Sequence, residues 1–403
     1  MLVKEWDWDG LKTLRQTGRK ERDYSLPGDT PSPIRIYLGG PVVADAIRMK
    51  KAKKAIMVSL LLLGVVFVAL NVLAYKQAYA MMHFTTQGAR TREPERLPGM
   101  AKLKVLLSGV NIPRPTSAVL PSAVDPGCHA LFISDPDGIR LACWYCDRGR
   151  ETPLVVLFHG YSAEKSSLVE EAKAFLALGA SVLLVDFRGS GGSSEGYTTI
   201  GVREADDVAT VVRYACEQLP HARVICFGQS MGAVAILRAV SHGGVAPDAV
   251  ILEAVFDTML NTVRNRFAAM HVPSFPSAQL LVFWGGWQWQ FNGFRHNPVD
   301  YAKALKCPAL FMHGSDDPRA RIAEGRRVCE AVCGDKTFLA FQKIGHQSYV
   351  AAHRVEWSAA VEKLMKNAEN RQQCDATCLS GGAPSPHSPR VRGLETADAR
   401  PTA

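Results

Sequence analysis

The residues that most clearly invite chemistry are Gly228-Gln229-Ser230-Met231-Gly232. They lie between an apolar run at 224–228, which reads as a strand, and a helix-like stretch that begins at Met231. In that context the string has a mechanism. A serine on a sharp strand-to-helix turn needs neighbours without side chains two positions before and two after, which is what Gly228 and Gly232 supply. The turn exposes the serine oxygen and sets it at a helix start, where the Met231 amide can donate to a developing oxyanion. A second donor is expected from the loop after the strand 154–159, at His159-Gly160-Tyr161, with the Tyr161 backbone amide as the candidate. His159 itself is expected to shape that loop rather than to move protons.

A serine hydroxyl needs a base, and the base needs an orienting acid. Downstream, the apolar run 309–312 leads into His313-Gly314-Ser315-Asp316-Asp317-Pro318, and the run 337–342 leads into Lys343-Ile344-Gly345-His346. His346 is the candidate base. Two carboxylates compete as the acid, Asp316 and Asp317, and Asp317 is preferred. Asp257 or Glu253, after the preceding strand, is the fallback.

The elements that must carry these loops alternate from about residue 128 onward. A hairpin turns at Asp137-Gly138. Continuous apolar strands follow at 154–159, 181–186, 224–228, 249–253, 309–313 and 337–342, separated by helices at about 165–178, 202–218, 231–240 and 321–332, with a last helix at about 349–365. Uninterrupted apolar strands between helices predict a mostly parallel sheet covered on both faces. The segment from about 257 to 297 reads as a small cap and is rich in aromatics, among them Phe267, Phe283, Trp284, Trp287 and Trp289, which suggests an apolar pocket.

This constellation resembles the α/β-hydrolase superfamily, over about residues 130–366. Within it the sequence is similar to the branch of lysophospholipase-like and serine-aminopeptidase-like hydrolases. His159-Gly160, Asp186-Phe187-Arg188-Gly189-Ser190-Gly191, the elbow at Ser230, His313-Gly314 with Asp317, and Gly345-His346 carry the resemblance. It implies an α/β-hydrolase fold with Ser230, Asp317 and His346 as a catalytic triad. The Asp186 to Gly189 stretch is implied to be a structural loop without a chemical role. One departure stands beside the acid: relatives carry Val-Pro shortly after it, whereas here Pro318 follows Asp317 directly.

The N-terminal part reads differently. Residues 55–75 hold an uncharged apolar run long enough to cross a hydrocarbon core as a helix. Arg48, Lys50, Lys51, Lys53 and Lys54 precede it, and only Lys76 follows at once. The positive-inside rule then predicts a cytoplasmic N-terminus and a periplasmic or otherwise extracytoplasmic remainder. A cleavable signal peptide is the rival, since Ala78-Tyr79-Ala80 resembles a cleavage site. Residues 1–54 are expected to form a cytoplasmic leader, 76–127 a stalk and linker, and 128–367 the hydrolase domain. Residues 368–403 are expected to be a disordered tail. The basic amphipathic stretch 100–110 fits either a membrane surface or a place on the domain.

The formal charge is +9, but much of the excess is the cluster before the apolar run. Topology explains that cluster, and no nucleic-acid signature accompanies it. No metal-ligand spacing or nucleotide fingerprint appears, so no cofactor is expected. Of the 10 cysteines, Cys216, Cys226 and Cys329 are expected in the core. Cys143 and Cys146 are spaced against bridging each other, and Cys374 and Cys378 are candidates for a small loop. The function expected is a membrane-anchored serine hydrolase acting on an ester with an apolar acyl group. A peptidase or amidase with the same residues is the nearest rival, and an inactive hydrolase-like binding domain is the rival of another class.

Overall fold

The computed structural model describes residues 41–91, 97–219 and 221–380. The chain divides into two compact units, Met1–Phe67 and Val68–Ala403. The leader up to residue 40, the tail from 381, and the side chains of Cys374 and Cys378 lie outside the described residues.

Helix α1, Pro41–Met82, contains the apolar run and is long and apolar enough to cross a membrane. It continues past residue 75, where the span was expected to end. Its last turns belong to the second unit, and Ala74, Ala78 and Met82 are buried there. Helix α2, Gly99–Ser108, follows. The segment 76–127 is therefore not a free stalk. The Phe84 amide donates to the Gly196 carbonyl (2.8 Å), and the Thr198 amide donates to the Met82 carbonyl (2.9 Å). Arg114 donates to carbonyls of the 191–195 loop.

Eight strands make one sheet in the order β1-β2-β4-β3-β5-β6-β7-β8. They are β1 His129–Ser134, β2 Arg140–Cys146, β3 Leu154–Phe158, β4 Ser181–Val185, β5 Val224–Gln229, β6 Ala249–Glu253, β7 Ala309–Gly314 and β8 Lys336–Phe341. β1 and β2 pair antiparallel, as do β2 and β4, and every other pairing is parallel. The C-terminal ends of β3, β5, β6, β7 and β8 thus share one edge, where open α/β sheets build their sites.

The central strands are buried on both faces because alternate residues serve two separate cores. Val156 and Phe158 join one with helices α4 (Glu204–Gln218), α5 (Met231–His242), α8 (Pro298–Ala302) and α9 (Ile322–Ala331). Val155 and Leu157 join the other with α3 (Val169–Ala177), α10 (Tyr349–Ala352) and α11 (Arg354–Ser380). The helix expected over 349–365 is broken at His353, and its second part runs to Ser380. Between β6 and α8 lie α6 (Met259–Ala269) and α7 (Ser277–Gln288), around a small core of their own that includes Val263, Phe267 and Val282.

A disulfide joins Cys128 and Cys146. The two flank the hairpin symmetrically about Asp137, and the register that pairs His129 with Tyr145 brings them face to face. Cys226 and Cys329 are buried, as expected, whereas Cys216 is exposed.

Candidate active site

Ser230 follows β5 directly and caps α5 with φ 53° and ψ −110°, a backbone conformation that L residues rarely adopt. Two close approaches explain the flanking glycines. A Cβ on Gly228 would stand 2.6 Å from the Ala233 amide nitrogen, and one on Gly232 would run into the Phe158 carbonyl and lie 2.9 Å from the His159 carbonyl oxygen. The turn is held from the neighbouring strand, because the Ser230 amide donates to the Glu253 carbonyl at 2.7 Å. Ser230 is half-buried. Met231 opens α5, so its amide is among the first-turn donors that lack a partner within the helix.

The loops after β7 and β8 are stitched together. The Ser315 amide donates to the Phe341 carbonyl (2.8 Å), and the Asp316 amide donates to the Ile344 carbonyl (3.0 Å). Asp317 is buried beneath this seam. Its Oδ1 accepts the amides of Arg319 (2.8 Å) and Ala320 (3.0 Å), and its Oδ2 accepts from His346 Nδ1 at 2.6 Å. Pro318, the departure noted in the sequence, has no amide hydrogen to give, and the next two amides wrap the carboxylate instead. Burial alone would raise the Asp317 pKa. The hydrogen bond and charge of His346, with the Ala320 and Arg319 amides, outweigh it and hold the carboxyl below its ordinary range. An ionised Asp317 can only accept, so Nδ1 of His346 carries the proton and Nε2 keeps the lone pair. The His346 side chain is 20% exposed, against 0% for Asp317.

Asp316 is exposed and bonded to its neighbour Ser315 (2.8 Å). The fallback acids are engaged elsewhere. Asp257 accepts from Arg327 Nη2 (2.5 Å) and Asn261 Nδ2 (3.0 Å), and Glu253 accepts from Trp357 Nε1 (2.7 Å). Burial, with the nearby Glu171 carboxyl, pushes Glu253 up to about 8. Glu171 in turn accepts from Ser348 Oγ, two residues past His346, at 2.6 Å. Sequence reasoning passed over this buried carboxyl pair, since Glu171 reads as an ordinary first-turn helix residue.

The loop after β3 lies against the elbow, since a Cβ on Gly160 would come 3.7 Å from Ser230 Cβ. His159 is fully buried. Its Nε2 accepts from the Phe187 amide (3.1 Å), which leaves Nδ1 to donate to the Gly160 carbonyl (2.8 Å). Burial lowers its pKa, so it is a neutral brace for the loop. The Tyr161 hydroxyl donates to the Met81 carbonyl in the last turn of α1 at 2.6 Å. Burial pushes that phenol up to about 12, so it stays protonated. No sequence signal pointed to this tie, because Met81 fell in the expected stalk. Asp186 binds Lys165 (Nζ, 2.5 Å) and the Gly192 amide (2.9 Å), while Arg188 binds Asp207 (Nη2, 2.6 Å). Both tie loops together. Among the described residues, no group of three or more His, Cys, Asp or Glu is arranged to hold a metal ion.

The chain is similar to several known proteins. The family model described as serine aminopeptidase, S33, matches residues 149–280, which include Ser230 and Tyr161 but end before Asp317 and His346. An uncharacterized protein of Mycobacterium tuberculosis is 27% identical over 238 residues, 58% of this chain and 78% of that protein. The lysophosphatidylserine lipase of Rattus norvegicus is 24% identical over 211 residues, 49% of this chain and 50% of the lipase. A solved structure of an esterase from Pyrococcus furiosus superposes with a TM-score of 0.53 at 22% identity, covering 64% of this chain and 97% of the esterase. With the eight-stranded sheet and the serine turn at the end of β5, these likenesses show that the chain has an α/β-hydrolase fold.

Proposed function

We propose that the protein is a membrane-anchored serine hydrolase that cleaves carboxylic esters through Ser230, His346 and Asp317. The observation that carries this reading is the 2.6 Å bond from His346 Nδ1 to buried Asp317, at the sheet edge where Ser230 sits in its strained turn. The Ser230 hydroxyl attacks the substrate carbonyl, and its proton passes to His346 Nε2 as the oxygen–carbon bond forms. Asp317 orients the imidazole and stabilises the imidazolium. The amides of Met231 and Tyr161 hold the oxyanion. His346 then gives the proton to the departing alkoxide, the ester bond breaks, and an acyl group remains on Ser230. A water deprotonated by His346 attacks that acyl group and releases the acid, and the proton returns to Ser230.

An apolar acyl group is favoured by the aromatic cap and by the apolar helix α1. A lipase and an esterase among the similar proteins point the same way. The domain is read as extracytoplasmic, with the N-terminus cytoplasmic. The basic cluster before the apolar run supports that orientation, and so does the Cys128–Cys146 disulfide, since such bonds persist in oxidising compartments. The test is turnover of p-nitrophenyl esters of graded chain length by the full chain in detergent, beside Ser230→Ala and His346→Ala. Activity lost in both variants is expected, and activity retained by either would refute the assignment.

A second reading, hydrolysis of an amide or peptide by the same residues, is favoured by the description of the matching family and by a similar dipeptidyl aminopeptidase from Pseudoxanthomonas mexicana. Faster turnover of aminoacyl p-nitroanilides than of any ester would establish it.

A further inference from the structure

Helices α2 and α7 both pack on the final turns of α1, and both leave apolar side chains uncovered. On the α7 side, Trp284 Nε1 donates to Asn71 Oδ1 (3.1 Å), and its ring meets Tyr75 edge-on at 5.5 Å between centroids. On the α2 side, Gln77 Nε2 donates to the Val105 carbonyl (2.7 Å) and to the Leu106 carbonyl (2.5 Å). Outward, α7 presents Phe283 (48% exposed) and Trp287 (62%), and α2 presents Met100 (80%) and Leu103 (48%). A cavity of about 720 Å³ lies beside α7, lined by Tyr75, Tyr79, His83, Trp287, Phe291 and Asn292.

We propose that these two helices form an apolar collar seated in the headgroup layer of the membrane that α1 crosses, so that the partner of this surface is lipid. The inference rests on reading residues 55–75 as a membrane span. Depth argues for it. The apolar run ends at Ala74, and Asn71 lies within it. At the helical rise, Gln77 stands only about 4.5 Å beyond Ala74. A headgroup layer is roughly 5–8 Å thick on each side of the hydrocarbon core. The contacts from α1 to α2 and α7 therefore fall at the boundary, where aromatic side chains gather. Charge agrees through Lys104, exposed beside the apolar residues of α2 and suited to an anionic lipid surface, while Lys102 donates to the Met270 carbonyl (3.5 Å). The collar also reaches the candidate site through the protein, since Tyr161 is tied to Met81 on the same turns of α1.

The test uses the full chain in nanodiscs of mixed phosphatidylcholine and phosphatidylglycerol. The photo-crosslinker p-benzoylphenylalanine replaces, one at a time, Leu103, Phe283, Trp287, Leu62 in the apolar run and Val355, an exposed residue of α11. Irradiation followed by mass spectrometry reads lipid adducts. The proposal predicts adducts at Leu62, Leu103, Phe283 and Trp287, with at least a tenfold smaller yield at Val355. Adducts at Leu62 with none at the three collar positions would overturn the collar and leave the span standing. Crosslinks from the collar to protein instead of lipid, or equal lipid yields at Val355, would also overturn it. No adduct at Leu62 would overturn the span reading and the collar with it.

Discussion

At the scale of single residues, the proposed chemistry divides among Ser230, His346 and Asp317. Asp317 is buried, fully bonded and held below its ordinary pKa, so its charge is fixed. That charge favours a proton on His346 Nδ1, and in the proposed reaction Nε2 is then the base. Ser230→Ala and His346→Ala should each lower kcat for ester hydrolysis by on the order of 10⁵ to 10⁶. Asp317→Asn should keep the fold and lower kcat by on the order of 10⁴, since an amide can hold the wrong tautomer. Stopped assays on the three variants, with circular dichroism to establish folding, would check the order. Tyr161→Phe removes the donor to Met81 and should cost about 1 kcal/mol of stability, read as a lower Tm. Glu253 gives a pH signature. Its folded pKa of about 8 lies above the ordinary glutamate value, so the folded state holds this proton to higher pH than the unfolded chain does. Its contribution is complete below the ordinary glutamate pKa and is lost as pH rises toward about 8. Thermal melts across that range should show stability falling with pH, and Glu253→Gln should make the fall shallower. The places of the three candidates were legible in sequence because each lies in the turn or loop that follows an apolar strand. The choice between Asp316 and Asp317 was not, because adjacent residues in a loop share their neighbours and only the folded loop shows which one faces His346.

At the scale of elements, the elbow makes the sharpest demand. Gly232→Ala would drive a methyl into the Phe158 carbonyl, and neither backbone can move without disturbing β3 or α5. It should cost about 1–3 kcal/mol or more and reduce activity beyond what the stability loss explains, measured by denaturant melts beside turnover. Strands β3 to β7 were legible because residues buried on both faces make unbroken apolar runs. The break of the last helix at His353 was not, since no glycine or proline marks it. The Cys128–Cys146 bond was not, because a two-residue turn at Asp137-Gly138 would set Cys146 opposite His129, whereas the observed register pairs His129 with Tyr145 and brings Cys128 to Cys146. Non-reducing peptide mapping of the full chain should recover the 128–146 pair, and finding both thiols free would count against an oxidising compartment.

At the scale of the whole molecule, the end of the apolar helix belongs to the second compact unit, which carries the candidate site. Ala74, Ala78 and Met82 are buried in it, and Met81 holds the loop that carries Tyr161. Composition pointed to a span followed by a stalk, because an apolar helix that ends in mixed residues reads the same whether or not a domain packs on its last turns. A fragment beginning near residue 100 should therefore express poorly or melt well below the full chain, because it uncovers the Trp284 face of α7 and frees the Tyr161 loop. Comparing its Tm and solubility with those of the full chain in detergent would check this.

Intact-mass analysis of the detergent-solubilised full chain after treatment with a fluorophosphonate, with digestion to locate the adduct, would decide whether Ser230 is the nucleophile. The account predicts one adduct, on Ser230, that forms slowly or not at all in His346→Ala. An adduct on another residue, or none on a folded protein that turns over esters, would contradict it.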